Sequence, residues 1–276
     1  MTYSTLLVTM NIDDRDGVVL QVAADLAGRL NSTVIGIAAC NPMEIVYADG
    51  YGTGNLIEQD RAQKASAIKA AEAQFRAVLG AHVPDLQWRS SFNYAQIADT
   101  IAENARVADL VLIGPAPRGA FLDTQTHIDV GALVIQLGRP ALIVPHGTGA
   151  LALQHVMIAW KDTRETRRAV VDALPLLRLA DRVTVAQVAA SEDVTEARTR
   201  LSDVVAWLGR HGLAANLVVA PAKGDDMAGL DNLMDEHGVT FLVAGAYGHN
   251  RLREWALGGV TRQLLTRPSR CTLLSH

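Results

Sequence analysis

The sequence predicts an α/β protein built from two tandem parallel sheets with helices on both faces. Three observations predict it. Short apolar runs alternate with stretches whose apolar residues recur at helical spacing. The chain goes through this alternation twice, with matching beginnings and ends. Each pass finishes on a strand, and strands joined through helices run parallel with right-handed crossovers.

The first pass opens with the strand-like run Leu6-Leu7-Val8-Thr9-Met10, followed by Asp13 and Asp14. Val19, Val22, Ala23, Leu26 and Leu30 then fall on one face of an amphipathic helix. Thr33 to Ala38 is a short continuous apolar run, as expected of a strand covered on both faces. The second pass repeats this. Val156 to Trp160 reads as a strand, Asp162 follows, Val170, Ala173, Leu174 and Leu177 form the helical stripe, and Val183 to Val188 is the next strand.

The two ends correspond as well. Ala108–Gly114 matches Val239–Gly245, and Gly138–Val144 matches Thr266–Leu274. In both, an Arg-Pro pair stops a helix before the last strand, because proline cannot continue a helix and biases its predecessor toward extended geometry. The joint falls near Gly147-Thr148-Gly149-Ala150, which divides the chain into domains 1–148 and 149–276. An insert from Asn41 to Asn55 follows the second strand. Its Gly50-Tyr51-Gly52-Thr53-Gly54 lacks the full spacing of a dinucleotide fingerprint and is expected to be a mobile loop.

Length and composition fit two domains of ordinary size. The chain has 276 residues, 49% hydrophobic and 20% charged. A net charge of −4 gives no basic field to draw in nucleic acid or anionic lipid. Met1 to Asp14 shows no signal peptide, and the apolar stretch Ala141 to Trp160 is too interrupted to span a bilayer. Cys40 and Cys271 read as two isolated thiols in a reducing compartment. A cytoplasmic protein is expected.

The chemistry concentrates near the end of the second pass. Gly245-Ala246-Tyr247-Gly248 is followed by nine residues and then Gly258-Gly259-Val260-Thr261. The block begins where the apolar run Phe241 to Ala244 stops and closes where a helical pattern starts. Glycines let backbone amides approach an anion closely, and the start of a helix turns free N–H groups and a positive dipole end toward it. Gly245-x2-Gly248-x9-Gly258, with Ala159-Trp160-Lys161-Asp162 and Gly248 to Trp255 around it, resembles the nucleotide motif of the universal stress protein family in its tandem form. The resemblance covers essentially the whole chain.

That resemblance implies an adenine nucleotide alpha hydrolase-like fold: two five-stranded parallel sheets of order 3-2-1-4-5, paired through edge strands as an internal pseudo-dimer. It also implies ATP or another adenine nucleotide as ligand. Adenosine would lie near Asp162 and Val188, and phosphates over Gly245, Gly248, Gly258, Gly259 and Val260. His249 lies inside the loop, either facing a ligand or exposed to solvent. Asp162 either contacts a ribose or caps the following helix, with Glu165 completing a capping box.

ATP-binding members usually carry Ser or Thr directly after the last motif glycine, where this chain has Gly259; Thr261 is two residues further on. Losing a hydroxyl bonded to a charged phosphate costs about 1.5–3 kcal/mol, roughly tenfold to somewhat over a hundredfold in affinity. Weakened binding is therefore expected. In the first pass Pro117 stands at the second motif glycine and Val130-Gly131 replaces Gly258-Gly259. Proline has no N–H to offer, so that half is expected to bind no nucleotide in the family manner.

No Walker-type loop, Gly-x-Ser-x-Gly elbow, His-Glu-x2-His pair or zinc site appears, so no catalytic or metal-binding set is assigned. The leading expectation is a nucleotide-binding regulator or scaffold in stress physiology. A ligand-free interaction module and a slow ATP hydrolase are the alternatives. Protein partners are unspecified, and a homodimer beyond the internal pairing stays open.

Overall fold

The computed structural model describes residues 2–12, 17–43, 53–114, 125–222, 226–247, 263–265 and 268–276. In the first half, strands β1 (Thr5–Met10), β2 (Thr33–Cys40), β3 (Leu86–Phe92), β4 (Leu110–Ile113) and β5 (Ala141–Ile143) alternate with helices α1 (Val18–Leu30), α2 (Thr53–Leu79), α3 (Ile97–Asn104) and α4 (Val130–Gln136). In the second half come β6 (His155–Ala159), α5 (Arg164–Leu177), β7 (Arg182–Ala189), α6 (Val194–Arg210), β8 (Ala215–Pro221), α7 (Asp226–Glu236), β9 (Phe241–Gly245) and β10 (Cys271–Ser275).

The strand orders are β3-β2-β1-β4-β5 and β8-β7-β6-β9-β10, so the expected 3-2-1-4-5 order is borne out in both halves. Within each half neighbouring strands pair in parallel, with Val8↔Gly36 and Ile158↔Val185 among the partners. β5 departs from this. It runs antiparallel to β10, with Thr272↔Ile143, Leu273↔Leu142 and Leu274↔Ala141 in register. That is the edge-strand pairing the pseudo-dimer requires.

The chain forms two compact bodies. One comprises Tyr3–Arg139 with His146–Ala150; the other takes Pro140–Pro145 together with Leu151–His276. The last strand of the first half therefore belongs, by its packing, with the second half.

In the first body, Leu6, Leu7, Val8, Val22, Ala23 and Leu26 are completely buried, as the α1 stripe required. At Gly36 a side chain is excluded by packing. A Cβ there would come within 2.7 Å of Trp88 and 2.8 Å of Phe75, whose rings meet with centroids 5.4 Å apart. In the second body, Ala169, Val170, Ala173, Leu174 and Leu177 of α5 are buried, facing β9 and β10. His155 anchors the opposite end of β6. Its Nδ1 lies 2.8 Å from the His237 carbonyl and its Nε2 2.8 Å from Thr184 Oγ1.

One expectation needs correction. The insert from Asn41 to Asn55 was expected to be loop throughout, but α2 already starts at Thr53, so Thr53 and Gly54 are helical. The glycines suggested a loop. The long run of good helix formers after them carries the helix back over Gly54 at a cost of about 1 kcal/mol. Gly50, Tyr51 and Gly52 lie outside the described residues, as do Asp13 and Asp14. Cys40 and Cys271 are both buried.

Candidate functional site

In a parallel sheet the carboxyl ends of the strands open onto one rim, where loops and helix starts converge. In the second body three strands bring Asp162, Val188 and Gly245 to that rim. Ala159 of β6 pairs with Ala186 of β7 and with Ala244 of β9. Gly245 is therefore one residue past its neighbour's last pair, Val188 two residues past, and Asp162 three residues beyond the end of β6.

The turn after β6 is tight. The Trp160 amide donates to the Ala186 carbonyl at 2.7 Å, and the Thr163 amide to the Lys161 carbonyl at 2.7 Å. Thr163 then caps α5. Its backbone is extended (φ −125°, ψ 161°), and its hydroxyl accepts from the Thr166 amide at 3.3 Å. This corrects the capping reading of Asp162. The cap is Thr163, one residue later, and Glu165 stands too near it to close a capping box. Asp162 instead accepts two hydrogen bonds from the Arg167 guanidinium, at 3.1 and 2.7 Å, with both side chains largely in solvent.

Glu165 is the residue that sequence reading undervalued. Its side chain is only 4% exposed, next to the 80% exposed Arg164 that hydrogen-bonds it. Burial by itself would raise its pKa. Hydrogen bonds from Arg164, from its own backbone and from Thr163, with the charge of Arg164, outweigh this and hold it below its ordinary 4.5. The positive end of α5 thus already faces an internal carboxylate.

Gly245 packs directly on this turn. A Cβ on it would lie 2.5 Å from the Thr166 nitrogen and 2.8 Å from both the Glu165 carbonyl carbon and Thr166 Oγ1. The glycine is demanded by the contact between β9 and the first turn of α5, whatever else it does. At its first-half counterpart, Gly114, the nearest neighbour among the described residues is Val19, at an ordinary 3.5 Å.

Past Gly245 the chain bends sharply. The Ala246 amide donates to the Ser275 carbonyl at 2.8 Å, and Tyr247 takes a left-handed conformation with φ 62°. A non-glycine residue there costs about 1–2 kcal/mol. The Tyr247 ring meets His276 edge-on at 5.8 Å, and His276 Nδ1 lies 3.2 Å from the Ala246 carbonyl. Gly248, His249, Gly258, Gly259, Val260 and Thr261 lie outside the described residues. Val188 is half-buried against α7, where a Cβ on Gly229 would touch it at 3.4 Å.

Two further residues at this rim have no signature in the sequence. Among the described residues, the buried Nε1 of Trp160 and Oε1 of Gln187 have no hydrogen-bond partner. The hydrogen bond from the Trp160 amide to the Ala186 carbonyl places Trp160, just past β6, beside Gln187 of β7. Each such orphan costs about 1–3 kcal/mol. Among the described residues there is no group of three or more His, Cys, Asp or Glu that could hold a metal ion, and no helix long and apolar enough to cross a membrane.

In the first body α4 starts at Val130 and is capped by Asp129, whose carboxylate accepts from the Ala132 amide at 3.0 Å. Pro117 lies outside the described residues.

No family model matches the sequence, and no curated protein does. Solved structures match over its full length. A universal stress protein from Archaeoglobus fulgidus DSM 4304 aligns over 99% of this chain and 98% of its own, with a TM-score of 0.73 and 13% identity. A functionally unknown protein from Pseudomonas aeruginosa PAO1 aligns over 99% and 92%, with a TM-score of 0.64 and 15% identity. A putative universal stress protein from Pseudomonas aeruginosa UCBPP-PA14 aligns over 99% and 93%, with a TM-score of 0.62 and 15% identity. Strand order, the β5–β10 pairing and these full-length likenesses agree: the chain has the fold of the two-domain universal stress proteins.

Proposed function

We propose that this chain works in the cytoplasm as a tandem universal stress protein, with domains 1–148 and 149–276, and that its second half binds an adenine nucleotide to regulate or scaffold a partner. The observation that carries the reading is the glycine spacing from Gly245 to Gly258, which begins at the carboxyl end of β9, packed on the first turn of α5. The left-handed Tyr247 supports it, because backbone strain of this kind collects at ligand-holding loops. The buried Trp160 Nε1 and Gln187 Oε1 support it too, since among the described residues neither has a hydrogen-bond partner and buried polar groups are normally bonded. The N-terminus of α5 is not the phosphate site in this reading, since Glu165 holds it.

The first half serves as structural partner. An anion at the start of α4 would meet the carboxylate of Asp129. Calorimetry with ATP, ADP and AMP tests the proposal. The expected result is one site per chain, lost when Gly248 or Gly258 is replaced by a bulky residue. No heat from any of the three at millimolar concentration would refute it. A second reading, a ligand-free interaction module, is favoured by Gly259. Native mass spectrometry showing bare protein, together with no thermal shift on adding nucleotide, decides for it.

A further inference from the structure

The carboxyl rim of the first body carries a buried charge that the reading above does not use. Lys64, in the middle of α2, is only 7% exposed. A buried ammonium survives only when paired and fully bonded. Lys64 meets that condition. Its Nζ donates to the Asn41 carbonyl at 2.8 Å and to Gln125 Oε1 at 3.2 Å, and it pairs with Asp60 at 2.9 Å. Three donors meet acceptors from three parts of the chain.

Each acceptor is itself tied down. The Asn41 amide donates to the Gln125 carbonyl at 2.8 Å. The Asn41 side chain donates to the carbonyls of Asn93 and Ala95, at 2.6 and 2.7 Å. Asp60 also accepts from the Met43 amide at 3.0 Å. The ammonium thus joins the exit of β2, the loop between β3 and α3, helix α2 and the segment leading into α4. Two of these, the exit of β2 and the segment leading into α4, correspond in the second half to the end of β7 and the connection after β9.

We propose that Lys64 is a built-in occupant of the first half: an internal cation that latches its carboxyl rim shut and keeps it ordered without any ligand. The latch does not depend on nucleotide binding in the second half. It makes the first half constitutive and leaves any ligand response to the second.

Hydrogen exchange on the full chain without added nucleotide tests this. Lys64→Met keeps the length of the side chain and removes the charge. The Asn41 amide should then exchange about ten to a hundred times faster, the loss expected for a bond to a charged group. Amides of Leu7 and Val8 in the same body should keep their protection. Asp60→Asn, which removes the ion pair but leaves the two carbonyl-type acceptors, should give a smaller rise at the same amide. It decides the question if Lys64→Met does not fold. Unchanged exchange at Asn41, or a uniform rise that includes Leu7 and Val8, overturns the latch.

Discussion

Replacing Gly245 by alanine separates two explanations of the same glycine. If Gly245 serves only to let a phosphate approach, the ligand-free protein should tolerate a methyl group there. The structure says otherwise. Of the three atoms within 2.8 Å of that methyl position, two are backbone atoms of the first turn of α5. β9 cannot retreat, because it is paired on one side with β6 and on the other with β10. The turn of α5 must move, and the Thr166 amide that it would push is the one bonded to the Thr163 cap. Overpacking of this kind costs about 1–3 kcal/mol. At about 2–4 °C per kcal/mol for a chain of this size class, the melting temperature should fall by about 2–12 °C. Gly114→Ala is the matched control. Its methyl group would find ordinary contact at 3.5 Å, and the stiffer unfolded chain contributes about 0.4–1 kcal/mol in its favour. Scanning calorimetry on both variants without nucleotide gives the answer. Equal melting temperatures for the two would refute the packing argument.

Two further outcomes follow from the same turn. Thr163→Ala should cost about 1 kcal/mol in denaturant unfolding as the α5 cap is lost, whereas Asp162→Ala, which breaks only a solvent-exposed pair with Arg167, should cost under about 1 kcal/mol. Reversed sizes would restore Asp162 as the cap. Glu165 should contribute to acid sensitivity. Its folded pKa lies below 4.5, so below that value the unfolded chain takes up the proton more readily. The stability it adds is present above the unfolded pKa and is lost as pH falls through the folded one. Glu165→Gln should flatten the stability profile below about pH 4.5, and an unchanged slope would show that the carboxylate is not held as described.

Much of the fold was legible because it rests on local pattern. The apolar runs and helical stripes were read directly from residue spacing, and Asp162, Val188 and Gly245 do come to one rim. What spacing could not supply was competition between neighbours. Asp162 and Thr163 are both good caps, and the choice went to the residue whose extended backbone let its oxygen reach the Thr166 amide. Nor could it show that Gly245 is required by α5, or that Trp160 Nε1 and Gln187 Oε1 are buried with no hydrogen-bond partner among the described residues.

The sequence by itself determined the alternation of strands and helices, the twofold repeat and the position of the glycine-rich connection, because burial periodicity and the backbone limits of glycine and proline act within a few residues. Only the tertiary structure decided that β5 pairs antiparallel with β10, that Ser275 bonds Asp172 across 103 positions, and that Lys64 finds its acceptors at Asn41, Asp60 and Gln125. Hydrogen bonds between distant segments depend on where the chain returns in space, and no local periodicity encodes that return.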